Sequence, residues 1–388
     1  MTDPLELAAI DTLLTEEERD IRDTVRKFAA EQIRPHIAEW FAAGELPARE
    51  LARECGKLGL LGMHLEGYGC AGTGAVAYGL ACFELESADS GVRSLVSVQG
   101  SLAMYAIRTF GSEEQRQRWL PAMAAGEAIG CFGLTEPDAG SDPGAMRTSA
   151  RRDGGDWILN GEKMWITNAA IADVAVVWAR TDEGIRGFVV PMDTPGVSTL
   201  PVGHKLSLRA SVTSALVLQD VRLPGDAIMP EAIGLRAPLK CLGEARLGIV
   251  FGSLGAGYDC LRAAIDYAGS REAFGRPISG FQLTQEKLTE MTRGLVNGML
   301  LAVHVGRLRE AGRATPAQVS LAKLNNCETA ISIARMARTI LGANGVTLEY
   351  PVLRHANNLE AVLTYEGTSE VHKLVVGQAL TGQAAFRG

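Results

Sequence analysis

The chain has 388 residues, 47% hydrophobic and 21% charged, with 38 basic against 45 acidic side chains and a formal net charge of −7. Such a chain can bury two or three cores, which excludes a disordered or fibrous protein, and its mild acidity argues against a nucleic-acid binder. Seven scattered cysteines without a C-x-x-C pair, and six histidines without H-x-H or H-E-x-x-H spacing, point to buried thiols in a reducing compartment and to no metal site.

The acidic N-terminus lacks a basic stretch followed by an apolar run, and no apolar run reaches the ~18 residues of a membrane span. The expectation is a soluble, cytoplasmic protein. Thr15 and Glu18 form a capping box ahead of Ile21, Val25 and Phe28 at helical spacing, and Arg34-Pro35 stops that helix. A second capping pattern, Ser112 with Gln115, opens a short helix that reaches Pro121.

From about residue 131 to 225 β-branched runs and turn signals take over. Asn160-Gly161, between apolar runs at 157–159 and 164–167, predicts a hairpin. Further strands are expected over 174–179, 187–191 and 215–221. After about 236, Ala/Leu-rich helices are expected over 239–269, 281–311 and 316–341, with two shorter ones behind them. The predicted class is α+β multidomain: an N-terminal helical domain over 1–130, a middle β-barrel or sandwich domain over 131–235, and a C-terminal four-helix-bundle domain over 236–388.

Gly67-Tyr68-Gly69-Cys70-Ala71-Gly72 satisfies G-x-G-x-x-G, but the segment before it (51–61) reads as a helix and no βαβ pattern follows. It is therefore expected to be a glycine-rich loop between helices and not a dinucleotide fingerprint. Three other stretches carry chemistry. Gly133-Leu134-Thr135-Glu136-Pro137-Asp138-Ala139-Gly140-Ser141-Asp142 is a loop with a hydroxyl at each end, suited to flavin edges or phosphate oxygens. Trp165 and Thr167 share one face of a strand, so an aromatic plane and a hydroxyl could cover a flat cofactor. In Tyr365-Glu366-Gly367-Thr368, a Glu facing an apolar pocket would have the raised pKa of a general base. Taken singly, each is also an ordinary turn, core Trp or solvated Glu.

These three motifs, in this order across helical, β and helical regions, resemble the acyl-CoA dehydrogenase family, and the likeness runs from Thr15 to about Gly382. Ser270-Arg271-Glu272-Ala273-Phe274-Gly275-Arg276-Pro277-Ile278 with Gln282 is similar to the family's dinucleotide-clamping region. The later signature, 339–358 with Gly342, departs from the family in Thr339 and Ala343. Several stretches resemble the branch that acts on glutaryl-CoA, among them the glycine-rich 67–72, Asp89-Ser90-Gly91-Val92-Arg93-Ser94, Ser97-Val98-Gln99, 207–211 and 354–362.

The resemblance implies FAD as cofactor, with Thr135, Ser141, Trp165 and Thr167 contacting it and Thr368 and Glu370 further along. It implies that Arg271, Phe274 and Gln282 reach the adenine and pyrophosphate end of the FAD in a partner subunit, hence a dimer at least and by likeness a homotetramer, with Gly342 also among the cofactor-binding residues. Glu366 would be the base that removes the α-proton of the thioester, with Ser141, Arg246, Tyr365 and Gly367 among the residues that bind the substrate. Ala245 stands where two other branches place their base, and a helical Glu244 would point about 100° away. Arg93, with Ser94 and Ser97 beside it and Glu86 seven residues before, would bind the far carboxylate of a dicarboxylic acyl chain. Tyr365 and Glu86 match the decarboxylating type, which yields crotonyl-CoA and CO2, and an electron-transfer flavoprotein would accept the electrons. A dehydrogenase acting on another short-chain acyl group, as a CoA or acyl-carrier-protein thioester, stays open, as does oxidase chemistry. A non-catalytic flavin-binding protein would have no use for the Glu366 carboxylate.

Overall fold

The computed structural model describes residues 2–385. Helix α1 (Glu16–Phe28) opens at the expected capping box, where the Glu18 N–H donates to Thr15 Oγ1 at 3.2 Å. A π-helical turn (Ala29–Ile33) and the Arg34-Pro35 corner end it, and α2 (Ile37–Ala43) and α3 (Ala48–Lys57) follow. The glycine-rich motif is a small hairpin between helices, β1 (Glu66–Gly67) with β2 (Cys70–Ala71). Then come α4 (Ala75–Ala88), α5 (Ser90–Ser97), a π-helical stretch (Val98–Met104), α6 (Tyr105–Phe110) and α7 (Glu113–Ala124). Helix α7 opens at Ser112 as expected but does not stop at Pro121. The carbonyl that Pro121 leaves without a donor belongs to Gln117, which is exposed and can be hydrated.

The middle of the chain forms one eight-stranded sheet. Its strands are β3 (Gly130–Gly133), β4 (Ser149–Asp153), β5 (Asp156–Thr167), β6 (Val174–Thr181), β7 (Gly184–Pro191), β8 (Val197–Pro201), β9 (Thr213–Leu223) and β10 (Ile228–Ile233). The order is β10-β7-β6-β4-β5-β9-β8, with β3 pairing parallel to β6.

The expected hairpin at Asn160-Gly161 is absent: β5 runs through both residues as a single strand. The Asn160 amide instead pairs with Asp220 on β9, donating to Oδ1 at 3.0 Å and accepting from its N–H at 2.8 Å, where the ladder slips by a bulge. The real turn is Gly154-Gly155, joining β4 to β5 with Asp153 opposite Asp156. Gly154 supplies the left-handed φ of +64° that such a two-residue loop requires.

Helices resume with α8 (Arg236–Ser270), and a small hairpin, β11 (Glu272–Ala273) with β12 (Arg276–Pro277), leads into α9 (Gln282–Glu310). Helices α10 (Pro316–Leu341), α11 (Val352–Thr364) and α12 (Ser369–Thr381) complete the fold, close to the expected spans. Every residue of α4 from Val76 to Ala88 is buried, so this helix is the axis around which the two helical parts share one core. Helix α8 reaches it through small residues; a Cβ on Gly255 would stand 2.0 Å from the Phe83 carbonyl oxygen. The seven cysteines are free and six of them are buried. Among the described residues no helix is long and apolar enough to cross a membrane, and no cluster of three or more His, Cys, Asp or Glu could hold a metal ion.

Candidate active site

Arg93 and Glu86 are both fully buried, Arg93 on α5 and Glu86 on α4. Arg93 Nε donates to Glu86 Oε2 at 2.6 Å, Nη1 donates to Ser97 Oγ at 2.9 Å, and Nη2 donates to the Tyr365 hydroxyl. Ser90 Oγ donates to the other Glu86 oxygen at 2.8 Å, so the carboxylate is held at both ends. Ser94 lies on the same helix with its hydroxyl buried and unpartnered. Helix α8 leaves room for this pair only because residue 252 is glycine, since a Cβ there would stand 2.2 Å from Glu86 Oε2.

The start of α5 is fixed by Asp89, which caps the Gly91 N–H at 2.7 Å and accepts from Asn358 Nδ2 at 2.9 Å and from Arg354. Asn358 in turn accepts from the Leu208 N–H at 2.8 Å. Stretches 89–94, 207–211 and 354–362, far apart in the chain, thus meet at one joint that orients Arg93.

Glu366 sits in the turn between α11 and α12 with φ of 54°, and Gly367 follows at 97°. Arg246 Nε donates to the Glu366 carbonyl at 2.8 Å, and Lys323 Nζ donates to the carbonyls of Tyr365 and Gly367 at 2.7 Å each. Glu366 Oε2 is shielded from solvent and has no partner. Burial lifts the Glu366 pKa above the usual carboxylate range, while Arg93, Lys323 and Arg246 pull it back. His372, buried beside Gly367, is pushed down to about 3 by burial and by Lys323 and Arg246, so it is neutral. At the rival base position Ala245 is buried, and the Glu244 carboxylate is engaged by Arg309.

The loop bearing Thr135 and Ser141 is pinned to β5 from beneath. Lys163 Nζ donates to Glu136 Oε1 at 2.8 Å and to the Leu134 carbonyl at 3.1 Å, and the Met164 N–H donates to the Thr135 carbonyl at 2.8 Å. Trp165 follows, held at φ of 63° with 58% of its surface exposed, and Thr167 is half-buried on the same outward side, with Ile166 turned into the core. The sharing of a face holds, although on the end of one long bulged strand and not on the second arm of a hairpin.

Glu86, Arg93, Ser97, Arg246, Tyr365, Glu366 and Gly367 therefore converge. Arg271, Phe274 and Gln282 do not: Arg271 caps the far end of α8, about 37 Å along the axis from Arg246 at 1.5 Å per residue. Phe274 is 97% exposed at φ of 52°. Thr368 and Glu370 line an open groove of about 730 Å³ with Thr339, between α10, α11 and α12, and Gly342 caps α10 nearby in sequence.

Family models for the N-terminal, middle and C-terminal domains of acyl-CoA dehydrogenases match residues 15–127, 131–221 and 233–381. The chain belongs to the acyl-CoA dehydrogenase family. It is similar to two structures of glutaryl-CoA dehydrogenase from Mycobacterium smegmatis, one in complex with FADH2, at 63% and 67% identity, each with a TM-score of 0.99 and both chains wholly covered. It is 38% identical over 370 residues to the mitochondrial short-chain specific acyl-CoA dehydrogenase of Homo sapiens, across 94% of this chain and 90% of that one.

Sequence reasoning missed Lys323, His372, Gly252 and the Lys163–Glu136 pair of this acyl-CoA dehydrogenase. For Lys323 a signal existed. It lies on α10 at helical spacing from buried Val319, Asn326, Cys327 and Ala330, a lone cation on an inward face.

Proposed function

We propose that this acyl-CoA dehydrogenase oxidises glutaryl-CoA at the α and β carbons and then decarboxylates the product to crotonyl-CoA and CO2. The observation that carries this reading is Arg93: a buried guanidinium, aimed by Glu86 and Ser97 at the residue preceding Glu366. A cation so placed selects a chain that ends in a carboxylate.

The residues fit FAD. An indole held open to solvent in a left-handed conformation, beside the pinned Thr135 loop, offers a flat face and a hydroxyl at one edge. Thr135, Ser141, Trp165, Thr167 and Thr368 would hold it in one subunit, and Arg271, Phe274, Gln282 and Gly342 would reach the FAD of another. That division requires a dimer at least, and the family likeness extends it to a homotetramer. When bound, FAD supplies the hydride acceptor for the substrate β-carbon.

Glu366 takes the α-proton while its own backbone N–H polarises the thioester carbonyl. Arg93 keeps the chain extended by its far carboxylate. In the enzyme-bound glutaconyl-CoA the bond to that carboxylate breaks, CO2 leaves, and the electron pair enters a crotonyl dienolate. Glu366 then returns its proton to the γ-carbon, which restores the base. An electron-transfer flavoprotein as acceptor and a cytoplasmic setting complete the proposal, in line with family likeness.

Anaerobic titration of the yellow protein with glutaryl-CoA and, separately, butyryl-CoA tests it. Selective bleaching by glutaryl-CoA with crotonyl-CoA and CO2 as products is expected. Bleaching by butyryl-CoA alone overturns the substrate, and glutaconyl-CoA as sole product overturns the decarboxylation.

A further inference from the structure

Lys323 is 1% exposed, and among the described residues no carboxylate lies within ion-pair distance of it. A buried ammonium without a partner is costly, so its surroundings should show what it is held for. Its two hydrogen bonds both go to the turn that carries Glu366, to the carbonyls of the residues immediately before and after it, at 2.7 Å each. Arg246, also without an ion pair, takes the carbonyl between them at 2.8 Å. Three consecutive carbonyls are thus gripped from α10 and α8, and Glu366 is left at φ of 54°, a conformation that a non-glycine residue keeps only when its neighbours impose it. The one acidic group near both cations and without a partner of its own is the Glu366 carboxylate.

We propose that Lys323 is the positioning residue for Glu366: it fixes the left-handed turn that aims the carboxylate and acts as its counter-charge without occupying its oxygens. The inference rests on Glu366 being the base. A direct ion pair would stabilise the carboxylate but cover its lone pairs. Anchoring the cation on the flanking carbonyls leaves the oxygens open to the α-proton while the charge is still felt. The other titratable groups facing Glu366 are Arg93, Glu86 and Cys82 from α5 and α4, Arg246 from α8, Cys327 from α10, and Tyr365 and His372 at the ends of the turn. Burial keeps Cys82, Cys327, Tyr365 and His372 neutral near pH 7, and Glu86 is matched by Arg93. At the base, burial is therefore opposed by Arg93, Lys323 and Arg246 together, and of these three Lys323 is the one that also grips both sides of the turn.

The test is anaerobic flavin reduction by glutaryl-CoA in wild-type, Lys323→Met, Lys323→Gln and Lys323→Arg holoenzymes from mildly acidic to alkaline pH. With Lys323→Met the rising limb moves to higher pH by about one pH unit, and the rate at neutral pH falls about tenfold. Lys323→Gln, which keeps a donor for the carbonyls but loses the charge, shifts the limb likewise, and Lys323→Arg returns it toward wild type. Should Lys323→Met not retain flavin, the Gln and Arg variants make the same comparison. The melting temperatures of Lys323→Met, Glu366→Gln and the double variant give a second readout, expected to be non-additive. Lower melting temperatures with an unmoved limb and additive effects reduce Lys323 to a structural residue and overturn the proposal. Retained flavin reduction in Glu366→Gln overturns the base assignment itself. An inactive Glu366→Gln beside an unmoved Lys323→Met limb overturns only the role of Lys323.

Discussion

Arg93 Nε donates to Glu86 Oε2 at 2.6 Å with neither side chain touching solvent. Removing one partner of such a pair leaves the other charged in a low dielectric, which costs about 3–5 kcal/mol. Arg93→Met is therefore expected to lower the melting temperature and to cut kcat/KM for glutaryl-CoA about 100-fold or more, with a much smaller loss for butyryl-CoA. Adding Glu86→Gln should restore most of the stability and none of the selectivity. Calorimetry and steady-state kinetics on the two variants separate these effects.

The Glu366 carboxyl titrates above its ordinary range because burial outweighs the nearby cations. Flavin reduction should then rise with pH through that raised value, since only the ionised form accepts the α-proton. Stability runs the other way. A carboxyl whose folded pKa exceeds its unfolded one binds more protons in the native state, so folding weakens as pH climbs between the two values. Glu366→Gln is expected to slow flavin reduction by at least about 1,000-fold and to melt higher than wild type at neutral pH. A scan of melting temperature against pH for both proteins checks the sign.

Burial raises Glu136, but donation from the Arg147 N–H, Lys163 and Thr148 outweighs it and holds the carboxylate at about 2. Burial pulls Lys163 down to about 8, still cationic at neutral pH. Lys163→Met should leave Glu136 short of a partner at a cost of about 3–5 kcal/mol and loosen the loop above it. The expected result is faster flavin loss on dialysis, read from the absorbance ratio of flavin to protein, with the Arg93 selectivity unchanged.

Phe274, 97% exposed and held in a left-handed conformation, meets its own chain's aromatics only edge-on at Phe281, with ring centroids 6.2 Å apart. Phe274→Ser is expected to leave the melting of the isolated subunit unchanged while lowering flavin retention and shifting the assembly to smaller species in light scattering. Unaltered mass and flavin content would argue against a cross-subunit role.

The helices and most strands were legible because capping boxes, apolar periodicity and β-branched runs are local signals, and those at Thr15 and Ser112 behaved as written. Asn160-Gly161 misled because pairing with Asp220, sixty residues away, recruits the same two residues into a bulge. Gly154-Gly155 held the true turn. Within the site, Arg93 and Ser97 could be linked by helical spacing, whereas Glu86 reaches Arg93 across the break at Asp89 between α4 and α5, and the Lys323 contact joins α10 to the turn after α11, which no short-range pattern encodes. Tyr365 as an acceptor for Arg93 is invisible for the same reason: the two are 272 residues apart.

Gly252 gives the buried pair an evolutionary consequence. Any side chain at that position collides with Glu86, so Gly252→Ala disturbs helix packing and carboxylate recognition in a single step. A lineage that drifts toward a different acyl chain must first give up Glu86, and only then is position 252 free to vary. The order of substitutions is constrained, and a homologue with a larger residue at 252 should also lack the Glu86–Arg93 pair.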